Sequence, residues 1–399
     1  MTIRDRAPKK IKVAIDGVEI NDTWLLINIW ESIDSPTWSC DIDLMDSTNL
    51  LESIPILHGS KLKISIETMH GCSTDGSVEF IFIVYKIGNK VSANQNVETY
   101  KLNAVSKPFL ANNTIRINKK YEDMKATDII GDILFESFPD HTTEIATVSD
   151  NTIDILINNW SPFIAAAWTL KQTHKDNRAD FMFFQSELNG FKIDSIESMY
   201  SDPKNRVSEI ITYKIENTGT VNYYNIIKHE WDHVDVQQNL QNGYYKSTVT
   251  SYDFLNKKWD ESVYTHGDDN KEDLKIAPQW KGALFGSAEK SVISFTPKIP
   301  NIFNNSTGYD DSNIWVPSRR AVLQRLDSER FSAQLRGSIG MYNWIGKHIY
   351  VDLPNNSEKS GEFYSRFRKG YYLITSMRHH LSPSMYLIDL ELVKMRVEQ

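Results

Sequence analysis

The sequence predicts an α+β protein that is mainly β, and three observations support that class. Short runs of alternating apolar and polar residues fill about residues 1–106 and return over 206–399, as half-buried strands do. Between them, residues 107–205 carry apolar side chains at helical spacing. The 399 residues, 40% of them hydrophobic, are enough for about two to four globular domains.

Residues 1–106 predict a first region of antiparallel strands. In 38–44 apolar residues alternate with polar ones, which indicates a strand with one buried face. The run 78–85 is apolar on both faces, so it predicts either a central strand or a strand covered by another subunit. Short strands at this spacing favour a barrel or a sandwich. The predicted strands lie at 11–15, 25–29, 38–44, 61–66, 78–85 and 100–104.

Residues 107–205 predict an α/β unit that contains two helices. The first helix is expected around 127–134, where an apolar stripe is formed by Ile129, Ile130, Ile133 and Leu134. The second helix begins at Ser161-Pro162, because a hydroxyl can cap the free amides and proline suits the first helical position. Its buried face is expected at the positions i, i+3, i+4 and i+7, which hold Phe163, Ala166, Ala167 and Leu170.

A tight hairpin is expected to close this α/β unit. The runs Phe181–Gln185 and Phe191–Ile196 have strand character. Asn189-Gly190 lies between them, and this dipeptide favours a two-residue turn.

A second β region is expected in two parts, 206–262 and 317–399. Its second part begins with a helix at about 318–328 and continues with strands at 331–337, 347–353, 370–377 and 384–395. Between the two parts, 263–316 is polar and irregular, which predicts a loop-rich insertion. The clearest loop signals in it are Asp268–Asp273 and Asn304–Gly308.

Composition excludes some classes of function. The net charge of −8 disfavours a surface that grips nucleic acid. No apolar run reaches the ~18 residues of a membrane helix, and residues 1–6 lack a signal-peptide core. Two cysteines without a CxxC motif suit a reducing cytoplasm. The 10 Trp and 18 Tyr have two explanations, ordinary β structure or extensive partner surface.

One motif could carry catalysis. His229-Glu230-Trp231-Asp232-His233 matches HExxH, in which two histidines one helical turn apart bind zinc and the glutamate polarises a water. This gives an alternative function, a zinc metallopeptidase. No third ligand follows at a familiar spacing, and Trp231 and Asp232 would crowd the metal. The favoured interpretation is therefore a set of exposed charges near the end of a strand or helix.

A pair of adjacent histidines, His379-His380, lies before a predicted turn. Neighbouring residues on a strand point to opposite faces, so these two side chains cannot readily share a metal. The run Gly337-Ser338-Ile339-Gly340 is not followed by the Lys-Ser/Thr of a phosphate loop. The sequence therefore predicts no catalytic, cofactor-binding or metal-binding residues.

The residues of the middle segment carry a resemblance to a known family. They are Tyr121, Thr127-Asp128-Ile129-Ile130, Asn159-Trp160-Ser161-Pro162-Phe163, Ala179-Asp180-Phe181-Met182-Phe183-Phe184, Gly190-Phe191-Lys192 and Ser195-Ile196. In this order they resemble the central hub protein of contractile-tailed bacteriophage baseplates, and also the N-terminal hub module of type VI secretion spike proteins. The resemblance is strong over about 115–200, and it is fair over 243–262 and 331–395.

The resemblance implies a fold with a fixed domain order. Two antiparallel, tube-like β-barrels are implied, the first over 1–106 and the second in two parts over 206–262 and 317–399. The α/β domain, 107–205, is inserted between the barrels. The smaller irregular insertion, 263–316, interrupts the second barrel.

The function implied by the resemblance is structural and not enzymatic, without cofactors. A homotrimer would present six barrels in a ring, adapt the six-fold tail tube to the three-fold cell-puncturing spike and form part of the DNA ejection channel. The implied partners are the spike on one face, the tail tube, tube-initiator and tape-measure proteins on the other, and the baseplate wedge proteins. DNA would pass through the lumen without specific binding, and nothing would insert into a membrane.

The resemblance also implies a location and a role for one motif. A late protein of this kind is assembled in the host cytoplasm and becomes part of the virion tail baseplate. A histidine commonly falls in the closing hairpin of the family, which favours a structural role for His379-His380.

Overall fold

The computed structural model describes most of the chain. The described residues are 8–20, 23–47, 59–68, 77–94, 97–176, 178–212, 223–232, 237, 241, 246–253, 257–265, 293–298, 319–320, 322–323, 326, 330–338, 341–353 and 369–394. Within them the chain is mainly β with a few short helices, so the predicted α+β class is confirmed. No helix in these ranges is long and apolar enough to cross a membrane.

The described part of the N-terminal region contains seven strands, and each predicted strand is present. They are β1 (Pro8–Ile15), β2 (Val18–Glu19), β3 (Trp24–Ser32), β4 (Ser39–Asp46), β5 (Lys61–Thr68), β6 (Ser77–Asn94) and β7 (Val97–Val105). They pair in the order β3-β4-β7-β6-β5-β1-β2. The alternation seen in the sequence places one side chain of every two in a common core, as Ile42 and Ile64 illustrate.

The middle of the chain forms the expected α/β unit, with more elements than predicted. They are α1 (Lys107–Thr114), β8 (Ile117–Lys125), α2 (Ala126–Ser137), β9 (Thr142–Ile145), β10 (Thr152–Trp160), α3 (Pro162–Gln172), β11 (Phe181–Glu187), β12 (Gly190–Ser195) and α4 (Ile196–Ser201). The helices α2 and α3 are the two predicted ones, and β11 and β12 are the predicted hairpin. Strand β9 adds to this hairpin in parallel.

The helices α2 and α3 each pack against two sheets. On one side Ile130 and Ala166 join a core with the sheet β11-β12-β9, and on the other Ile133 and Ala165 join a core with the ribbon β8-β10. Because α3 buries two faces, both Ala165 and Ala166 are inaccessible, whereas Ala167 is exposed. The expected burial of Ala167 is therefore wrong.

Helix α3 begins at Pro162 after Ser161, as predicted, but its first turn is capped by a different residue. The hydroxyl of Ser161 makes no capping hydrogen bond. Instead, Asn112 of α1 accepts a hydrogen bond from the backbone amide of Phe163 at 2.8 Å. An amide oxygen from a neighbouring helix thus satisfies a free amide of the first turn.

Six C-terminal strands form a closed barrel. They are β13 (Arg206–Thr212), β14 (Tyr223–Trp231), β18 (Arg330–Arg336), β19 (His348–Asp352), β20 (Gly370–Ser382) and β21 (Met385–Val393). The order β19-β13-β14-β18-β21-β20 closes because β20 also pairs with β19. The barrel is mostly antiparallel, with β13 running parallel to both of its neighbours.

Three further strands of the described residues lie outside the barrel. They are β15 (Lys246–Asp253), β16 (Lys258–Thr265) and β17 (Ile293–Lys298), and they form a separate sheet in the order β16-β15-β17. We expected 246–262 within the second barrel, but β15 and β16 pair with each other and with β17 instead. Strand β17 lies in the segment expected to be loop-rich, whereas the loop signals Asp268–Asp273 and Asn304–Gly308 lie outside the described residues.

Candidate assembly joint and partner surfaces

The peptidase motif does not have the geometry that zinc catalysis needs. His229 and Glu230 are successive residues of the strand β14, so they point to opposite faces, and the HExxH signature requires a helix. The His229 ring lies 6.0 Å from the ring of Phe331. His233 lies outside the described residues. In the described part of the chain no three His, Cys, Asp or Glu side chains are grouped as metal ligands would be.

The two β regions join through a single strand, β20. Its first part, 370–373, pairs with β19, and 376–381 pairs on the same side with β3. The change of partner occurs at Thr375, whose carbonyl accepts a hydrogen bond from the amide of Ile33 at 3.0 Å. The N-terminal strands therefore continue the barrel sheet, and together they form one sheet of thirteen strands. We call the β3–β20 contact the joint.

The inner face of the joint, which points into the core, contains a buried network of hydrogen-bonded polar side chains. Glu31 of β3 and His379 of β20 are each 1% exposed. His379 Nε2 lies 3.0 Å from Glu31 Oε1, and His379 Nδ1 lies 2.7 Å from the hydroxyl oxygen of Tyr386 on β21. The ring of Phe80 is 5.7 Å away. Burial, with a smaller contribution from the Glu31 carboxylate, holds the pKa of Tyr386 well above its usual value.

The outer face of the joint contains a second network of hydrogen-bonded polar side chains. Asn28 of β3 accepts hydrogen bonds at its Oδ1 atom from Arg378 Nη2 at 2.8 Å and Arg378 Nε at 3.1 Å. Its Nδ2 atom donates to Asp41 Oδ1 at 2.7 Å, and Asp41 pairs with Lys101 at 2.9 Å. His380 Nδ1 lies 3.0 Å from Asn28 Oδ1. His379 and His380 therefore lie on opposite faces, as the sequence predicted.

The α/β unit is attached to the thirteen-stranded sheet along the edge of β11 that does not pair with β12. Gln185 accepts a hydrogen bond at its Oε1 atom from the Trp38 amide at 3.1 Å, and its carbonyl accepts one from Trp38 Nε1 at 3.0 Å. Arg319 Nη1 donates to the Phe181 carbonyl at 2.8 Å. Met182 and Phe184 of the same strand belong to the main β core. The α/β unit thus shares the main hydrophobic core with the thirteen-stranded sheet.

The outward face of β6 is apolar and only partly covered. Phe80, Phe82 and Val84 point into the core. On the opposite face Ile81 and Ile83 are half-buried and Tyr85 is 44% exposed. Strand β6 is thus central in the sheet, as one of our two interpretations predicted, and its second apolar face is available to a partner.

Sequence reasoning found His379-His380 but missed their partners. In the run Ile27-Asn28-Ile29-Trp30-Glu31-Ser32-Ile33, every second residue is an inward-facing isoleucine except Glu31. The available signal was a single acidic residue at an inward-facing position where the strand otherwise holds isoleucine, because a buried carboxylate needs a partner. Its partner lies 348 residues later in the chain.

Comparison with known proteins gives a fold. No family model matches the sequence, and no curated protein matches it. Among solved structures, the tail protein from Neisseria meningitidis MC58 has a TM-score of 0.58 at 11% identity, with 96% of each chain covered. The prophage MuSo2 43 kDa tail protein from Shewanella oneidensis has a TM-score of 0.58 at 12% identity, covering 96% of this chain and 98% of that chain. The chain has a phage tail-protein fold.

The resemblance predicted from the sequence is therefore confirmed at the level of fold. The tail-protein fold extends over the N-terminal strands, the α/β unit and the barrel, because 96% of the chain is covered. An Escherichia coli component of the type VI secretion system has a TM-score of 0.46 at 10% identity, covering 96% of this chain and 76% of that chain. That likeness is too distant to add to the assignment of the tail-protein fold.

Proposed function

We propose that the chain is a structural hub of a contractile-tail baseplate and not an enzyme. The observation that carries this proposal is the thirteen-stranded sheet, which unites two β regions of one chain through the joint. A phage tail-protein fold over nearly the whole chain supports the same role. The resemblance of the segment 115–200 to baseplate hub proteins supplies the more specific assignment.

The mechanism of such a hub is geometric. A chain with two β regions, assembled as a homotrimer, presents six β regions in a ring, so it matches a six-fold tube on one face and a three-fold spike on the other. Each contact between neighbouring copies uses two different surfaces and closes after three copies. The expected partners are the spike, the tube or tube-initiator proteins with the tape-measure protein, and the wedge proteins around the ring.

The outward face of β6 is the surface that we assign to contact between copies. Ile81, Ile83 and Tyr85 form an apolar row flanked by the ion pair of Lys63 and Glu79, which are 2.7 Å apart. An apolar strip with a charged border is typical of protein interfaces. This surface lies on the N-terminal region, where a neighbouring copy in the ring would cover it.

The ring would also form part of the channel for DNA. A cationic wall would hold the polymer, because each neutralised phosphate adds to the affinity. The net charge of −8 supports a wall that is neutral or negative. We expect the inner wall to carry more Asp and Glu than Lys and Arg, and an electrostatic potential calculated on the assembled ring would test this.

Native mass spectrometry of the chain with its cognate spike would test the proposed assembly. We expect complexes that contain three copies of this chain, and low-resolution images should show a ring. A stable complex of one copy with one spike chain would refute the ring.

A further inference from the structure

The inner face of the joint contains polar groups that stability alone does not explain. Glu31 and His379 lie among apolar residues, and Glu31 Oε2 has no hydrogen-bond partner among the described residues. Well-packed apolar side chains of similar size often stabilise a core at least as well as a buried ion pair does. A buried polar group that does not add stability can instead specify one arrangement among several.

The apolar residues of the joint leave its register undetermined. Strand β3 points Ile27, Ile29 and Ile33 into the core, and β20 points Met377 and Leu381 there. A strand that slides by two residues keeps the same side chains on the same face. Because these side chains are similar in size and character, a slipped pairing would bury much the same apolar surface.

The two polar networks distinguish the observed register of β3 and β20 from a slipped one. On the inner face the observed pairing puts Glu31 opposite Met377 and diagonal to His379, and Glu31 Oε1 lies 3.0 Å from His379 Nε2. On the outer face the same pairing brings Asn28 opposite His380, within reach of Arg378. A slip that puts Ser376 opposite Trp30 would move Glu31 four residues away from the position opposite His379 and leave its side chain buried alone, which is costly. A slip in the other direction would move Asn28 four residues away from the position opposite Arg378, so each face of the joint disfavours one direction of slipping.

We propose that these residues form a register key at the joint. The key consists of Glu31, His379 and Tyr386 on the inner face, and of Asn28 and Arg378 on the outer face. It fixes the position at which the N-terminal strands join the barrel, since a slip by two residues would shift them by about 7 Å along β20. This inference goes beyond the proposed function and does not depend on the chain forming a ring.

Disulfide formation between introduced cysteines would report the register. In a background without Cys40 and Cys72, the pair Ser32→Cys with Ser376→Cys reports the observed register, because these residues are opposed and their hydroxyl oxygens are 3.1 Å apart. The pair Trp30→Cys with Ser376→Cys reports the slip by two residues that separates Glu31 from His379. In the observed register that second pair is diagonal, about 7 Å apart, which is too far for a disulfide.

The key is removed by Glu31→Leu, His379→Leu and Tyr386→Phe together. We expect this variant to fold, and we expect the ratio of slipped to observed cross-links to rise on the order of tenfold or more, because the polar penalty against slipping is gone. If the variant forms the observed cross-link as completely as the unmodified joint does, the proposal is wrong.

Two further variants keep the test decisive. If the inner-face variant does not fold, the outer-face variant Asn28→Leu with Arg378→Leu must raise cross-linking in the opposite slip, which the pair Trp30→Cys with His380→Cys reports, and unchanged cross-linking refutes the proposal. A control replaces another buried polar pair, Thr127→Val with Ser149→Ala, whose hydroxyl oxygens are 3.4 Å apart within the α/β unit. This control should keep the observed register, and slipping in it would show that the register does not depend on the key.

Discussion

Gly337 is the residue that leaves room for the ring of Tyr386. A Cβ atom at this position would lie 2.4 Å from Tyr386 Cγ, so the ring would have to move. We expect Gly337→Ala to displace the ring that contacts His379 and to lower the free energy of unfolding by about 1–3 kcal/mol. Urea denaturation would measure the loss.

A glycine of strand β6 provides the control for this prediction. The nearest atoms to a Cβ added at Gly88 of β6 are 3.8 Å away, which is ordinary contact. Gly88→Ala should therefore cost less than Gly337→Ala. Equal losses for the two variants would show that the close approach to Tyr386 is unimportant.

Three histidines are expected to make stability depend on pH. Burial lowers the pKa of His141, His174 and His348 below the usual 6.5. Because the unfolded chain then binds protons more readily than the folded one, stability is lost as the pH falls below about 6.5. The urea concentration at the midpoint of unfolding should therefore be lower at about pH 5.5 than at about pH 7.5.

The contribution of one histidine can be isolated from this effect. The ring of His141 stacks on Phe191 with ring centroids 5.5 Å apart, so a phenyl ring can take its place. His141→Phe should give a shallower dependence of stability on pH over the same range. An unchanged slope would show that His141 does not contribute to it.

At the scale of elements, α3 shows what a helical pattern determines and what it leaves open. The spacing of Phe163, Ala166 and Leu170 predicted the helix and its contact with the sheet β11-β12-β9 correctly. It could not show that the ribbon β8-β10 would cover a second face at Ala165. Such long-range covering depends on strands that the periodicity of one helix does not describe.

Two alanines of α3 give a matched test of this packing. Ala166 is buried between α3 and its neighbours, and the adjacent Ala167 is exposed. We expect Ala166→Phe to overpack the contact and to lower the free energy of unfolding by about 1–3 kcal/mol, whereas Ala167→Phe should change it little. Thermal unfolding would compare them, and a reversed order of the two losses would contradict the described packing.

At the scale of the whole molecule, the strands were predictable and their partners were not. Local alternation predicted β4 and β5, because one buried face imposes a period of two, and a run that is apolar on both faces predicted β6. The pairing of β3 with β20 links residues more than 340 positions apart, as the contact of Ser32 with Thr375 shows. The separate sheet of β15, β16 and β17 was missed for the same reason, because the sequence pattern of a strand does not specify which other strand it pairs with.

The outward face of β6 supports a prediction about the whole assembly. Tyr85→Glu would place a charge in the proposed contact between copies, so the trimer should weaken by on the order of tenfold or more. Analytical ultracentrifugation over a range of concentrations would measure this. Ile164→Glu is the control, because Ile164 is 61% exposed on α3 and lies outside that contact. Equal weakening by both variants would show that the contact lies elsewhere.

The late position of β20 in the chain has a consequence for synthesis. The edge of β3 is made more than 300 residues before the strand that covers it, so it is open while the rest of the chain is translated. An open strand edge is a template for wrong pairing with other chains. Glu31 and Asn28, both buried after folding, lie on this edge. Their polar side chains make the nascent edge a poor partner for an apolar strand until β20 is made.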